Sequence, residues 1–302
     1  MFPKIVFMGS PDFAVPTLAM LGTNYDLVGV VTQPDQPAGR GCILTPPPVK
    51  VLAQSIHIPI IQPVNLKDEN ALKQLVDWKP DLIIVVAFGQ ILRKNVLDLP
   101  PLGCINVHAS LLPRWRGAAP IQAAILAGDL ETGVTIMKLD RGVDTGPILT
   151  KKNVTILPDD TNQSMGFHLS NIGAELLMDT IPRYIAGNIQ AITQDETFST
   201  YAPMIKKEQS ELNFYQPIDF LERQVRAYYP WPGTFMNFKG NTLKIHKAHI
   251  LQDENSIIGV RGIIEGYPVV GGRGGWLVLD IVQPAGKKAL PGDRFLLGAR
   301  EW

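Results

Sequence analysis

Between residues 4 and 156 the chain alternates two textures of apolar and polar positions. KIVFMG (4–9), DLVGVVT (26–32), DLIIVVAF (81–88) and GCINVH (103–108) are apolar nearly throughout, the pattern of strands covered on both faces. FAVPTLAML, VKVLAQSI, ENALKQLVDW and APIQAAILAG mix apolar and polar positions over lengths that suit helices. Strands alternating with helices predict a parallel α/β sheet. Ligands of such sheets sit beyond the carboxyl ends of the strands, and His108 falls at one of those ends.

TGVTIMKL (132–139) and PILTKKNVTI (147–156) predict two further strands joined by the loop LDRGVDTG. A helical pattern runs from Asp160 to Ile185, with Asp-Asp-Thr offering N-caps at its start. After residue 190 the texture changes. STYAPMIKKEQSELNF reads as a linker and IDFLERQVRAYYP as a helix. TLKIHKAHI, GVRGIIEG and GGRGGWLVLDIV then alternate over short runs between Gly-rich turns, which predicts a small antiparallel barrel of the OB type. PWPG (230–233) turns the chain into that barrel, with Trp231 expected to pack beneath it.

Composition narrows the class. With 302 residues, 45% hydrophobic and 19% charged, the chain is long enough for two domains and apolar enough to fold. Lys plus Arg and Asp plus Glu are 28 each, so the whole-chain charge points to no polyanionic partner. From Lys206 onward the balance is 13 basic to 10 acidic, a mild excess that allows one. Two cysteines, Cys42 and Cys104, without CxxC spacing, exclude a disulfide scaffold and a multi-cysteine zinc site. MFPKIVFMGS enters a strand at once and has no secretory h-region, and no apolar run reaches the roughly 20 residues of a membrane span. A soluble cytoplasmic protein is expected.

The candidate chemistry begins with absences. GSPDF follows the first strand without GxGxxG, so a dinucleotide has no phosphate cradle there, and no P-loop motif occurs. Of the five histidines, His57, His168, His246 and His249 read as surface or hydrogen-bonded structural residues. His108 differs, because Asn106 precedes it by two on the same strand and so shares its side of the sheet. An amide donor and an imidazole facing one cleft can stabilise a developing oxyanion and move a proton. A third group would hold the imidazole tautomer. Asp144, in a Gly-bracketed loop, and Asp140 are both candidates. No second histidine lies at ligand spacing, so no metal is expected.

NVHASLLPRWRGAAPIQAAI and MKLDRGVDTGPIL resemble the two signatures of the formyltransferase family that uses 10-formyltetrahydrofolate. Within it, KIVFMGSPDFAVPTL, QPDQPAGRG, YAPMIKKE, VRAYYPWPGTF and QPAGKK are similar to the branch that formylates initiator methionyl-tRNA. The resemblance runs essentially from end to end. It implies a Rossmann-like catalytic domain over 1–189, a linker over 190–207 and an OB-like, tRNA-binding barrel over 208–302. It also implies formyl transfer from 10-formyltetrahydrofolate to the α-amine of the methionine on initiator tRNA, by a monomer that needs no metal. Asn106, His108 and Asp144 match the catalytic positions. Ser110, Leu111, Leu112 and Pro113 match the folate-binding segment. Phe88, Gly89, Gln90 and Ile91 match the loop lining the pterin pocket, and Asp140 belongs to the loop facing it. Arg40 matches the arginine that inserts at the tRNA acceptor end, and Lys206 and Lys207 belong to a basic strip for the same partner.

Three positions depart from the family pattern. Arg40-Gly41 runs into Cys42-Ile43-Leu44 rather than further basic residues, Met204 replaces a common Lys, and Phe88 replaces a common Tyr. The first two lower the number of phosphate contacts expected. Arg114 and Arg116 flank Trp115, and the sequence leaves open whether they meet tRNA or merely surround a packing residue.

Overall fold

The structure, a computed structural model, describes residues 3–38, 41, 43–299 and 301–302. Arg40 and Cys42 lie outside them. In chain order the first stretch comprises β1 (Lys4–Gly9), α1 (Val15–Asn24), β2 (Asp26–Val31), β3 (Gln36–Ala38), β4 (Ile43–Thr45), α2 (Pro48–Ser55) and β5 (Ile60–Ile61). There follow α3 (Glu69–Trp78), β6 (Leu82–Val86), α4 (Lys94–Leu97), β7 (Cys104–His108), β8 (Arg116–Gly117) and α5 (Pro120–Ala127). β9 (Glu131–Lys138), β10 (Ile148–Thr155), α6 (Asn162–Ile185) and β11 (Tyr201–Ala202) complete it.

The seven-stranded sheet has the order β10-β9-β7-β6-β1-β2-β5. β5, β2, β1, β6 and β7 run parallel, as the alternating pattern predicts. β9 departs from this and runs antiparallel to β7, pairing Thr135 with His108 and Met137 with Asn106. Strand patterns alone carry no direction, and only the connection through α5 decides it. Ile5, Val6, Phe7 and Met8 on β1 are all fully buried. Each such side chain stabilises the fold by about 1.5–3 kcal/mol. The helices carry their own stops: Asp68 accepts hydrogen bonds from Asn70 and Ala71 at the start of α3, and Lys79 ends it at φ +49°. From β1 the chain leaves to β2 on one side and later returns to β6 on the other. The C-terminal ends of β1, β6 and β7 therefore share one edge of the sheet, on either side of a topological switch point.

The second stretch comprises α7 (Ile218–Tyr228), β12 (Thr234–Phe238), β13 (Asn241–Gln252), β14 (Arg261–Ile264), β15 (Tyr267–Gly272), β16 (Gly275–Pro284), β17 (Leu290–Pro291) and α8 (Gly292–Leu296). Its strands form an antiparallel sheet, β12-β13-β16-β15-β14, with β17 on β16. Register shifts within β13 between Ile245 and Ala248 bend the sheet. α7 lays Ile218, Leu221 and Val225 into a core with Leu243, Ile245, Leu277 and Leu279. Trp231 does not join that core and is 53% exposed. α7 buries its last side chain at Tyr228 and β12 its first at Thr234, so the turn between them belongs to neither packed element.

The chain divides into two compact units at a different place from the expected boundary after residue 189. One holds residues 1–120, 132–155 and 166–202, the other 121–131, 156–165 and 203–302. Residues 190–202 are thus part of the first unit rather than a linker. Ile192 bridges Ile148, and β11 pairs parallel with β8.

Cys104 sits within the core of the first unit, beside Val96 and Leu97, and is 2% exposed. Burial, with a smaller contribution from the Asp98 charge, pushes its thiol up to about 12. At about pH 8 only about one such thiol in 10⁴ is ionised. Iodoacetamide should therefore leave the Cys104 peptide unmodified in the folded protein and label it after denaturation, as read by peptide mass spectrometry. Equal labelling in both states would contradict this burial.

Candidate active site

β7 ends the parallel part of the sheet, and all five of its residues are buried. Asn106 and His108 alternate with Val107 and so emerge on the same side. The Asn106 amide is 8% exposed and has no hydrogen-bond partner among the described residues. Its amide is not among the side-chain atoms sealed from solvent without a partner, so it opens onto space that a ligand can enter.

His108 is held from both ends. Its Nε2 lies 2.9 Å from the carbonyl oxygen of Trp115. A carbonyl only accepts, so Nε2 carries the hydrogen. Nδ1 lies 3.6 Å from Asp144 Oδ2, close enough for Coulombic attraction and too far for a hydrogen bond. The same Oδ2 accepts the backbone N–H of Gly117 at 2.8 Å. Asp144 adopts φ +53°, the left-handed region that Asp tolerates better than most residues.

The turn after His108 is bonded at nearly every residue. Ser110 is fully buried, and its hydroxyl donates to the Arg114 carbonyl at 2.6 Å. Thr135, opposite His108, donates to the Ser110 carbonyl at 2.6 Å and accepts from Leu112 N–H at 3.1 Å. Lys151 Nζ donates to the Leu112 carbonyl. Leu112 is fully buried, and its peptide bond to Pro113 is cis. Trp115 N–H donates to Thr200 Oγ1. Gly117 has φ +109°, and a Cβ there would meet the Ala202 carbonyl oxygen at 2.7 Å. Only glycine allows that approach.

The question left open about Arg114 and Arg116 has a divided answer. Arg114 is exposed, with its guanidinium over the Trp115 ring at 4.4 Å. Arg116 is fully buried. Its Nη1 and Nη2 donate to the two carboxylate oxygens of Glu196, both at 2.8 Å, and its Nε and Nη2 donate to Gln194 Oε1. The Glu196 hydrogen bond holds the Arg116 pKa up, and the same bond holds the Glu196 carboxyl below its ordinary value. Gln194 Nε2 in turn donates to the carbonyls of Asp144 and Gly146, at 2.8 and 2.7 Å.

The remaining expected residues are less uniform. Phe88 points its ring into the core and is 2% exposed, so only its backbone remains for a ligand, and its carbonyl accepts from Gln33 Nε2. Gly89 at φ +78° turns the chain, Gln90 donates to the Pro63 carbonyl, and Ile91 is 74% exposed. Leu111 and Pro113 are half-buried. Asp140 ties its own loop, accepting from Gly142 N–H and Thr145 Oγ1. That leaves Asp144 as the carboxylate beside His108. Lys206 and Lys207 are exposed in the second unit, and Arg40 lies outside the described residues. No group of His, Cys, Asp and Glu that could hold a metal occurs among the described residues. Thr135, Gly117, Gln194 and Glu196 were not anticipated. Thr135 depends on the antiparallel register of β9, and the other three on the return of residues 194–202 to β8.

Residues 4–181 match the family model for formyl transferase, and residues 204–300 that for the formyl transferase C-terminal domain. The chain belongs to the formyl transferase family. Methionyl-tRNA formyltransferase of Myxococcus xanthus (strain DK1622) is 44% identical to this formyl transferase over 301 residues, covering 98% of this chain and 95% of that protein. The protein of the same name from Geotalea daltonii (strain DSM 22248 / JCM 15807 / FRC-32) is 45% identical over 296 residues, with the same coverage. An N-formyltransferase from Helicobacter canadensis, solved with folinic acid and dTDP-3-aminofucose, shares the fold at a TM-score of 0.71 and 21% identity. It covers 94% of this chain and 100% of its own.

The Glu196–Arg116 pair has a pH signature. Because the folded carboxyl lies below its ordinary 4.5, the pair contributes in full well above that value and is lost as pH falls through the folded value. Urea midpoints should thus show Glu196→Gln less stable than the parent at neutral pH, with the gap closing below 4.5. A gap that persists unchanged into the acid range would contradict the pairing.

Proposed function

We propose that this formyl transferase moves the formyl group of 10-formyltetrahydrofolate to the α-amine of initiator methionyl-tRNA, giving formylmethionyl-tRNA for translation initiation. The observation that carries the reading is the end of β7, where an unpartnered Asn106 amide shares a side with His108, itself 3.6 Å from Asp144. Identity of 42–45% over 98% of the chain to five methionyl-tRNA formyltransferases supports the choice of acceptor.

The chemistry suits those groups. An α-amine of ordinary pKa, about 7.7–8.0, is mostly protonated near neutrality but keeps a fraction of about a tenth or more as the free base that attacks. The folate supplies an activated formyl carbon. As the amine attacks, negative charge develops on the formyl oxygen, and the Asn106 N–H₂ donates to it. His108, through Nδ1, the ring nitrogen that no backbone carbonyl occupies, takes the proton the amine loses and passes it to the folate nitrogen as the bond from that nitrogen to the formyl carbon breaks, with the Asp144 carboxylate 3.6 Å away. The nearly buried, unpaired amide fits a donor that must meet a ligand oxygen. The buried turn Ser110–Pro113 and the loop Phe88–Ile91, with Asp140 opposite, would hold the folate. Ser110 and Phe88 contribute backbone only, since the Ser110 hydroxyl and the Phe88 ring are already engaged.

The tRNA would meet Arg40 and the exposed Lys206 and Lys207, within the mildly basic part of the chain. All the reacting groups come from one chain, so the reading takes a monomer. Charged tRNA and reduced folate as substrates make it a cytoplasmic enzyme. Among the described residues no helix is long and apolar enough to cross a membrane.

The test is formylation of charged initiator tRNA by purified protein, with labelled 10-formyltetrahydrofolate and a dTDP-amino sugar as competing acceptor. Formylmethionyl-tRNA is expected, strictly dependent on the donor. His108→Ala and Asn106→Ala should each lower kcat by about 10²–10³ with tRNA affinity within a few-fold. Formylation of the sugar in place of the tRNA, or a fully active His108→Ala, would overturn the reading.

A further inference from the structure

Trp115, Arg116 and Gly117 each reach the proposed catalytic pair by a different route. The Trp115 carbonyl holds His108 Nε2, and the Gly117 N–H holds the Asp144 carboxylate. Arg116 works at one remove. Its guanidinium donates to Gln194 Oε1, and the Gln194 N–H₂ donates to the carbonyls of Asp144 and Gly146. A guanidinium can only donate and a carbonyl can only accept, so the Gln194 amide has a single orientation that satisfies both neighbours. Gln194 is 6% exposed and Arg116 fully buried, so water does not compete for these bonds.

The loop needs such support. Asp144 stands at φ +53° in a stretch bracketed by Gly142 and Gly146, and its carboxylate would be free to swing if its backbone could relax. The two hydrogens of the Gln194 amide clamp the backbone on either side of Thr145. Packing alone would not call for a buried cation at this place, since burying one is costly unless every donor is met. Here Glu196 meets the outer face of the fork and Gln194 the inner.

We propose that Arg116 and Gln194 are positioning residues, which set the Asp144 carboxylate at its distance from His108. The inference rests on the reading of Asp144 and His108 as the catalytic pair. It makes Trp115-Arg116-Gly117 the gauge between the two, rather than a tRNA contact.

The test is a double-substitution cycle in the full-length enzyme, with formyl transfer to charged initiator tRNA as the rate and urea midpoints as the measure of folding. Gln194→Met should lower kcat about 10²-fold, as displacement of a catalytic group by about 1 Å does, with both KM values within about threefold. In an Asp144→Asn background the same substitution should cost less than about threefold, because the group it positions has been removed. Arg116→Lys, which keeps the charge and loses the fork, should repeat the pattern more weakly and serves if Gln194→Met does not fold. Equal losses in the two backgrounds mean a merely structural role and overturn the inference. Normal kcat in Gln194→Met with an impaired Asp144→Asn overturns the positioning role alone. A fully active Asp144→Asn removes the catalytic reading of Asp144, and the positioning role falls with it.

Discussion

The guanidinium of Arg116 is the largest fully buried side chain among the described residues, and much of the first unit's local order follows from satisfying it. A cation taken out of water destabilises a fold unless its donors are met with good geometry. Gln194 and Glu196 meet Arg116. These partners lie roughly eighty residues further along the chain, |i−j| being 78 and 80. The segment after α6 must therefore return across the unit and lie along Arg116-Gly117. Once it does, β11 forms, Gly117 packs against the Ala202 carbonyl, and Thr200 caps Trp115. A polar, loop-like stretch thereby becomes an integral part of the first unit.

This return is what local sequence patterns miss. The central strands and their helices are legible because a residue's neighbours in sequence decide them: continuous apolar runs mark covered strands, and mixed runs mark helices. Asn106 and His108 are legible as a pair for the same reason, since a spacing of two on a strand puts them on one side. Asp144 was one of two candidates in its loop. The structure separates them physically, because Asp140 spends its carboxylate on Gly142 and Thr145 while Asp144 turns toward His108. Thr135 depends on the antiparallel direction of β9, and Gln194 on a contact across 50 residues. Neither leaves a periodic trace.

Aromatic residues show the converse error. Trp231 reads as packed because tryptophan carries a large apolar area, yet it stands outside both α7 and β12 in a turn bracketed by two prolines. Phe88, in the loop expected beside the pterin, turns its ring into the core, with Val85 and Leu92 nearby in sequence packing in the same cluster. In each case the residue type was informative about burial in general and silent about which side of the backbone faces the packed layer.

The spacing of the proposed pair carries the last step. A direct hydrogen bond from His108 Nδ1 to Asp144 would commit the ring proton to the carboxylate. At 3.6 Å the directional bond is given up, while the Coulombic attraction, falling only as the inverse of distance, is largely kept. Nδ1 thus stays free of a fixed acceptor, as the proposed proton transfer requires. Such a gap would close in a mobile site, since the two groups attract. It persists because each is tied elsewhere: the ring to the Trp115 carbonyl, the carboxylate to the Gly117 N–H, and the loop to Gln194. Rigidity around Arg116 and an uncommitted nitrogen on His108 are therefore two sides of one arrangement. Asn106 fits the same logic under the proposed reaction, since its amide is held in place by the strand and has no partner among the described residues, so it could meet developing charge with little reorganisation.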